Sequence, residues 1–177
     1  GDWHASLNKK EFIHAVWEAK EYIAAGDIYQ VNLSRRLRAQ CHAPDGLLPL
    51  YGKLRNSSPA PVATYMNLAG REVLSSSPET FLRFSGREIE TRPIKGTRPR
   101  FADPELDSRS AFDLQRSEKE TAELVMITDL LRNDLGQVCE FGSVQVTDML
   151  QHEKLEHVHH LVSTIRGTLR DEFTHSA

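Results

Sequence analysis

The sequence has little cysteine and no long apolar run. Its two cysteines, Cys41 and Cys139, lie far apart and form no C-x-x-C pair. Two reduced thiols are therefore favoured over a disulfide or half of a zinc site. No apolar run approaches the length of a membrane span, and the N-terminal GDWHASLNKK has no hydrophobic signal region. We expect a cytoplasmic protein that does not interact with membranes.

The chain also lacks an excess of positive charge, internal repeats and low-complexity segments. Its formal net charge is -3, so the whole-chain charge balance does not attract nucleic acid or an anionic membrane. Hydrophobic residues make up 39% and charged residues 27% of the 177 positions, as in an ordinary globular protein. This length favours one domain with a real core over two separate domains.

The helical patterns carry clear start signals. Asn8 and Glu11 form a capping box before apolar residues at helical spacing, which predicts a helix from about 9 to 25 that ends at Gly26. Ser117 and Glu120 form a second capping box, opening a helix that Gly136 is predicted to end. A short helix is predicted to begin at Asp45 and to end before Pro59, and Ser77 is predicted to cap a helical turn.

The strand patterns lie between these helices. DIYQVNLSRRLRA alternates apolar and polar residues and predicts one strand. VATYMNL and REVLS predict a hairpin, FLRFSGREIETRPI predicts two strands about Ser85-Gly86, and the tail after Val138 predicts two or three more. Strands and helices mix here without strict alternation. We therefore predict an α+β fold with a largely antiparallel sheet and packed helices.

Lys95 and Glu79 are the first candidate pair for chemistry. Lys95 is the single lysine in TRPIKGTRPR, and an uncharged amine can act as a nucleophile whereas a guanidinium cannot give up its proton. The predicted hairpin after SSSPET would return the chain beside Glu79, so that an acid and an amine would face each other across one cleft. On the residues alone, Lys95 can equally be a solvated loop cation, and Glu79 a favourable charge in a first helical turn.

Other polar clusters leave alternatives open. Glu123 borders the apolar stripe of its helix, where a half-buried carboxylate can bind Mg2+, although most acidic pairs such as Glu120 and Glu123 are solvated faces. A zinc site is the less favoured interpretation of the histidine cluster because a third close ligand is missing. His160 is predicted to be a hydrogen-bonded core or cleft residue. The histidines of this cluster are His152, His157, His159 and His160.

A basic strip offers a different class of function, a binding module for phosphates or RNA without chemistry. It lacks the interleaved aromatic residues of single-strand readers, and the acidic net charge also argues against it. The strip consists of Arg83, Arg87, Arg92, Lys95, Arg98 and Arg100.

Five ordered blocks resemble the chorismate-utilising enzyme family. They are GDIYQVNLSRR, SSSPETFLR, PIKGTRPR, EKETAELVMITDLLRNDLG and HVHHLVSTIRG, and they cover most of the chain. Ordered blocks of this kind are far more specific than a single short motif. The resemblance implies an α+β chorismate-binding domain like that of anthranilate synthase component I.

Within that family the chain is most similar to the aminodeoxychorismate synthase component I branch. Lys95 occupies the position of that branch's covalent nucleophile, whereas the anthranilate branch has alanine there. Gln30 occupies the position where water-adding relatives place a lysine base, which disfavours a water-adding enzyme. The resemblance implies amination of chorismate at C4, with ammonia from a glutamine amidotransferase subunit or fused domain.

The resemblance also implies roles for the remaining candidates. Glu79 would be the general acid that protonates the departing C4 hydroxyl, and Glu123 would be one ligand of Mg2+. Gly96 and Thr97 would contact the ring carboxylate of chorismate, and His160 would lie near the ring.

Relatives in this family are longer than this chain at both ends and carry a second metal-binding glutamate. We therefore expect residues 1–177 to form a partial chorismate-binding catalytic domain. An incomplete ligand set binds its metal poorly, so we predict little or no activity for the isolated chain.

Overall fold

The computed structural model describes residues 2–174. The chain divides after Gly46 into two compact units. The prediction of a single partial domain across 1–177 is not decided by this division and stays a prediction.

The first unit contains one long helix and one short strand pair. Helix α1 spans Lys9–Ala25, and the two-residue strands β1 (His4–Ala5) and β2 (Leu37–Arg38) pair antiparallel. The predicted capping box is present: Asn8 Oδ1 accepts from the backbone N–H groups of Lys10 and Glu11, and Glu11 accepts from the Asn8 N–H at 2.7 Å. Gly26 ends the helix with a φ of 82°.

The strand predicted in DIYQVNLSRRLRA is wrong for most of its length. Only Leu37 and Arg38 are in a strand, and Tyr29, Val31 and Leu33 are exposed. Alternation of apolar and polar residues does not by itself form a strand, because the backbone N–H and C=O groups need a neighbouring strand. Residues 27–36 pair with no other strand in the described chain.

The second unit contains three helices and seven strands within the described residues. In chain order they are α2 (Leu48–Ser57), β3 (Val62–Leu68), β4 (Arg71–Ser77), β5 (Thr80–Ser85), β6 (Glu88–Arg92), β7 (Ile94–Pro99), α3 (Pro104–Gln115), α4 (Glu118–Val138), β8 (Gln145–Lys154) and β9 (Val158–Thr168). Strands β3 and β4 form the predicted hairpin. The other five strands form one sheet, and all strand pairs are antiparallel, which confirms the predicted α+β class.

Strand β9 is the centre of the larger sheet. It pairs with β8 along one edge, and with β7 and then β6 along the other. Successive side chains of a strand point to opposite faces. Leu161 and Ile165 on one face are buried against α3 and α4, with Leu114 and Leu124 in one cluster and Leu135 in the other. The opposite face carries His160, Val162 and Thr164.

Three predicted helix boundaries are wrong. Helix α2 begins at Leu48 rather than near Asp45, and its first turn carries no side-chain cap. Ser77 ends β4 and caps no helix, because pairing of β5 with β6 begins directly at Thr80. Helix α4 continues past Gly136 to Val138, since Leu135 and Cys139 are buried in the core and hold this last turn against the sheet.

No helix among residues 2–174 is both long and apolar enough to cross a membrane.

Candidate active site

Glu79 is hydrogen-bonded to the residue that precedes Lys95. Glu79 lies directly before β5, and its Oε1 accepts a hydrogen bond from the Ile94 N–H at 3.1 Å. The Ser163 N–H donates to the Pro93 carbonyl, so this side of β7 faces β9 and the Ile94 N–H points to the outer edge. The carboxylate of Glu79 is therefore held beside the residue that precedes Lys95.

Lys95 is half-buried in β7, opposite Leu161 of β9. Within residues 2–174, its Nζ atom makes no hydrogen bond and no ion pair. It is not paired with Glu79 in particular. An amine without a carboxylate partner is available to contact a bound molecule, because no strong internal interaction has to be broken first.

Gly96 forms a bulge between Lys95 and Thr97. Its φ of +76° lies in the left-handed region that favours glycine. A Cβ at this position would lie 2.7 Å from Leu114 Cδ1 and 3.1 Å from Glu120 Cβ. Both backbone conformation and close packing against α3 and α4 therefore require glycine here.

The bulge brings Thr97 opposite His160. Thr97 Oγ1 lies 3.1 Å from His160 Nδ1, and the Gly96 carbonyl oxygen lies 3.3 Å from the same nitrogen. A carbonyl oxygen can only accept, so these contacts assign the ring proton to Nδ1 and leave Nε2 as the acceptor of a neutral ring. His160 is buried, as predicted for a core or cleft histidine.

A cavity of about 140 Å³ lies beside His160. Pro78, the neighbour of Glu79, and Val158 also line it. Ligand pockets usually occupy roughly 300–1,000 Å³, so this cavity by itself is smaller than a typical ligand pocket. The cavity shares lining residues with an open cleft of about 1010 Å³ between α2 and the β8–β9 turn; these residues are Pro59, Ala60, Leu155 and Glu156.

Glu123 is placed on α4, one turn after Glu120, whose side chain packs at Gly96. The side chain of Glu123 is 42% exposed, and its Oε1 lies 3.9 Å from Lys119 Nζ. A carboxylate oxygen is a donor that Mg2+ prefers. However, no cluster of three or more histidine, cysteine or acidic residues within the described chain is arranged to hold a metal ion. The donor type fits Mg2+, but the described residues do not supply enough donors to hold the ion.

Gln30 lies in the irregular segment of the first unit and is exposed. Its predicted proximity to the substrate stays a prediction.

Sequence reasoning missed a buried network around Asp107 of α3. Asp107 Oδ1 accepts from Arg100 Nε at 2.8 Å, from the Phe101 N–H at 3.1 Å and from His159 Nε2 at 2.9 Å. His159 Nδ1 in turn lies 3.0 Å from His152 Nε2. The histidine cluster was visible in the sequence, but no local spacing connects it to an aspartate on a helix so far away in the chain.

Hydrogen bonding and burial set the protonation of this network. The Arg100 guanidinium, followed by the Phe101 N–H, holds the pKa of Asp107 well below its usual range. Burial lowers the pKa of His152, and the charges of His159 and Lys154 act in the same direction. An ionised Asp107 only accepts, so His159 Nε2 carries the proton in the contact with Asp107.

The basic strip is largely neutralised. Four of its arginines form ion pairs, which leaves few free cations on this surface for a polyanion. The pairs are Arg87 with Glu140 and Asp171, Arg92 with Glu153, Arg98 with Glu120, and Arg100 with Asp107.

The family of chorismate binding enzymes matches residues 1–177. The chain belongs to this family. Anthranilate synthase component 1 of Streptomyces coelicolor is 45% identical over 170 residues, which cover 96% of this chain and 33% of that protein. Aminodeoxychorismate synthase component 1 of Escherichia coli is 40% identical over 171 residues, which cover 97% of this chain and 37% of that protein.

The fold comparison agrees with the family. The crystal structure of anthranilate synthase component I from Streptococcus pneumoniae gives a TM-score of 0.85 at 32% identity, covering 98% of this chain and 37% of that one. The chain thus spans about a third of the length of the relatives that it matches, which include both anthranilate and aminodeoxychorismate synthases.

Proposed function

We propose that these residues belong to an aminodeoxychorismate synthase component I, which replaces the C4 hydroxyl of chorismate with an amino group. The observation that supports this reaction most directly is the amine of Lys95. It is half-buried, has no partner among residues 2–174, and follows the residue whose N–H binds Glu79.

In the proposed first step, Lys95 attacks C2 of chorismate in its uncharged form. Both ring double bonds shift by one position, and the C4–O bond breaks. Hydroxide is a poor leaving group, so Glu79 donates a proton and the oxygen departs as water. Only Oε1 of Glu79 is hydrogen-bonded within the described residues, so Oε2 is available to carry that proton.

In the proposed second step, ammonia attacks C4 as the C2–N bond to Lys95 breaks. Both double bonds return to their original positions. The nitrogen of Lys95, which returned one proton to Glu79 after the first step, takes up the proton that ammonia loses and leaves as a neutral amine. The balance is chorismate plus ammonia giving 4-amino-4-deoxychorismate plus water. We propose that the ammonia comes from a glutamine amidotransferase subunit or fused domain.

The neighbouring residues would bind and orient the substrate. Gly96 and Thr97 supply backbone and hydroxyl groups for the ring carboxylate, and the Nδ1 contacts of His160 fix the direction of its ring beside the cavity. Glu123 would be one ligand of Mg2+, which supplies positive charge against the substrate carboxylate when bound. Gln30 is proposed as a further substrate contact.

Anthranilate synthase component I is the second candidate. Relatives with that name reach higher identity than the aminodeoxychorismate synthase, for example 46% over 169 residues in Thermus thermophilus. In this alternative, ammonia attacks C2 directly and Lys95 is not covalently involved.

The two candidates are separated by the product of the full-length protein that contains these residues. The protein is incubated with chorismate, Mg2+ and an ammonium salt, and products are identified by liquid chromatography and mass spectrometry. We expect aminodeoxychorismate; anthranilate as the main product would refute the proposal. Binding to polyanions that weakens with salt, without chorismate turnover, would instead support the non-catalytic alternative.

Lys95→Ala tests the role of the amine. We expect loss of aminodeoxychorismate formation with unchanged circular dichroism. Intact-protein mass spectrometry of the wild type without ammonia should detect a covalent adduct of chorismate less water. Lys53→Ala, at an exposed lysine of α2, is the matched control and should retain full turnover. Undiminished turnover in Lys95→Ala would show that the lysine is not the nucleophile.

A further inference from the structure

Helix α3 is tied to the two strands that carry the Thr97–His160 pair. At its first turn, Asp107 binds Arg100 and the Phe101 N–H just after β7, and binds His159 in β9. One turn later, Ser110 Oγ donates to the Pro99 carbonyl at 2.8 Å. The helix therefore holds the end of β7 and the start of β9 at once.

Arg100 extends the same attachment to the β8–β9 turn. Its backbone N–H donates to the His157 carbonyl at 2.9 Å, and its Nη1 donates to the Leu155 carbonyl at 2.9 Å. Both carbonyls lie just before β9 begins, and Leu155 and His157 line the cavity beside His160. Asp107 thus orients, through Arg100, the chain segment that forms one wall of this cavity.

His159 is the connection closest to the site. Its side chain is 0% exposed and lies between Asp107 and His152, while the next residue, His160, points to the opposite face. A buried imidazole bound at both nitrogens has one allowed orientation, because turning the ring would leave two buried polar atoms without partners. The fixed ring of His159 therefore fixes the backbone from which His160 projects.

We propose that Asp107 and His159 are positioning residues for the reaction at the Thr97–His160 pair. They do not touch the substrate. They hold β7 and β9 in the register that brings Thr97 Oγ1 and the Gly96 carbonyl to His160 Nδ1. This inference rests on the proposed function in one respect: chorismate is placed at the Thr97–His160 pair. It applies whether the product is aminodeoxychorismate or anthranilate.

The test measures chorismate consumption by the full-length protein, with kcat and KM determined separately. Asp107→Asn removes the charge that organises the network. We expect KM for chorismate to rise and kcat to fall, with kcat/KM reduced about tenfold to 100-fold, as for misplacements of about 1 Å in other enzymes. Asp113→Asn, at an exposed position of the same helix, is the matched control and should leave both constants unchanged.

A substitution pair at His159 separates positioning from proton transfer. His159→Gln keeps one donor and one acceptor, so we expect it to retain most activity, whereas His159→Leu should lose about as much as Asp107→Asn. Equal losses in both His159 variants would overturn the positioning role, since they would mean that the imidazole itself is needed.

The KM of Asp107→Asn distinguishes a positioning role from a purely structural one. If Asp107 only stabilised the fold, the variant would lower the folded fraction and the apparent kcat and leave KM unchanged, and that result would overturn the proposal. Ser110→Ala removes only the hydrogen bond to the Pro99 carbonyl, and it replaces Asp107→Asn in the test if that variant does not fold. A raised KM in Ser110→Ala supports the proposal, and an unchanged KM contradicts it. Formation of anthranilate would refute the proposed product without affecting these comparisons.

Discussion

Gly96→Ala combines two separate costs in one methyl group. The residue has a φ of +76°, and a left-handed backbone costs an ordinary L-residue about 1–2 kcal/mol. The new Cβ would also lie 2.7 Å from Leu114 Cδ1, and Leu114 is 0% exposed, so its side chain would have to shift within the core. Overpacking of this kind costs about 1–3 kcal/mol.

The expected loss in the free energy of unfolding is therefore about 2–5 kcal/mol, a large part of the roughly 5–15 kcal/mol that stabilises a typical domain. The assay is urea denaturation followed by far-UV circular dichroism. Tryptophan fluorescence would report on the wrong part of the protein, because Trp3 and Trp17 both lie in the first unit.

Substitutions at two other glycines separate the backbone cost from the packing cost. Gly70 has a φ of +82°, and nothing lies within 4 Å of the position that an added methyl group would take, so Gly70→Ala should lose only the backbone cost, about 1–2 kcal/mol. Gly52 lies within α2 in open space, and Gly52→Ala should gain about 0.5–1 kcal/mol. If Gly96→Ala loses no more than Gly70→Ala, the close contact with Leu114 and Glu120 does not exist.

Three further predictions concern protonation and catalysis. The folded-state pKa of His152 lies below its ordinary 6.5, so the unfolded chain binds the proton first and stability should fall as pH drops below about 6.5. Asp107 contributes stability that is present above its ordinary 3.8 and is lost as pH falls below it. Glu79→Gln should retain the hydrogen bond from the Ile94 N–H and unfold like the wild type, yet consume chorismate about 10²–10⁴-fold more slowly.

Each of these has a direct check. Urea denaturation at several pH values should show that His152→Gln removes the loss of stability below about pH 6.5. Asp107→Asn should remove the loss of stability below about pH 3.8. Unchanged pH profiles in these variants would mean that other groups cause the losses. If Glu79→Gln consumes chorismate at a near-wild-type rate in steady-state assays, another group protonates the leaving hydroxyl.

The local elements with strong sequence signals were predictable. The capping box at Asn8 and Glu11 and the glycine at position 26 are physical start and stop signals within one helix, so α1 was predicted to the residue range observed. The β3–β4 hairpin was predictable for the same reason, since its turn and alternation are local. The segment 27–36 failed because a strand depends on a partner that its own residues do not specify.

By itself, the sequence determined the family, the α+β class and the identity of the candidate residues, because motif order and short-range spacing are written along the chain. Only the tertiary structure decided which of these residues meet. The Gly96 bulge sets Thr97 opposite His160, the outer edge of β7 binds Glu79, and α3 brings Asp107 to His159. Register, bulges and helix packing join positions that are distant in the chain, and these contacts depend on how whole elements fit together.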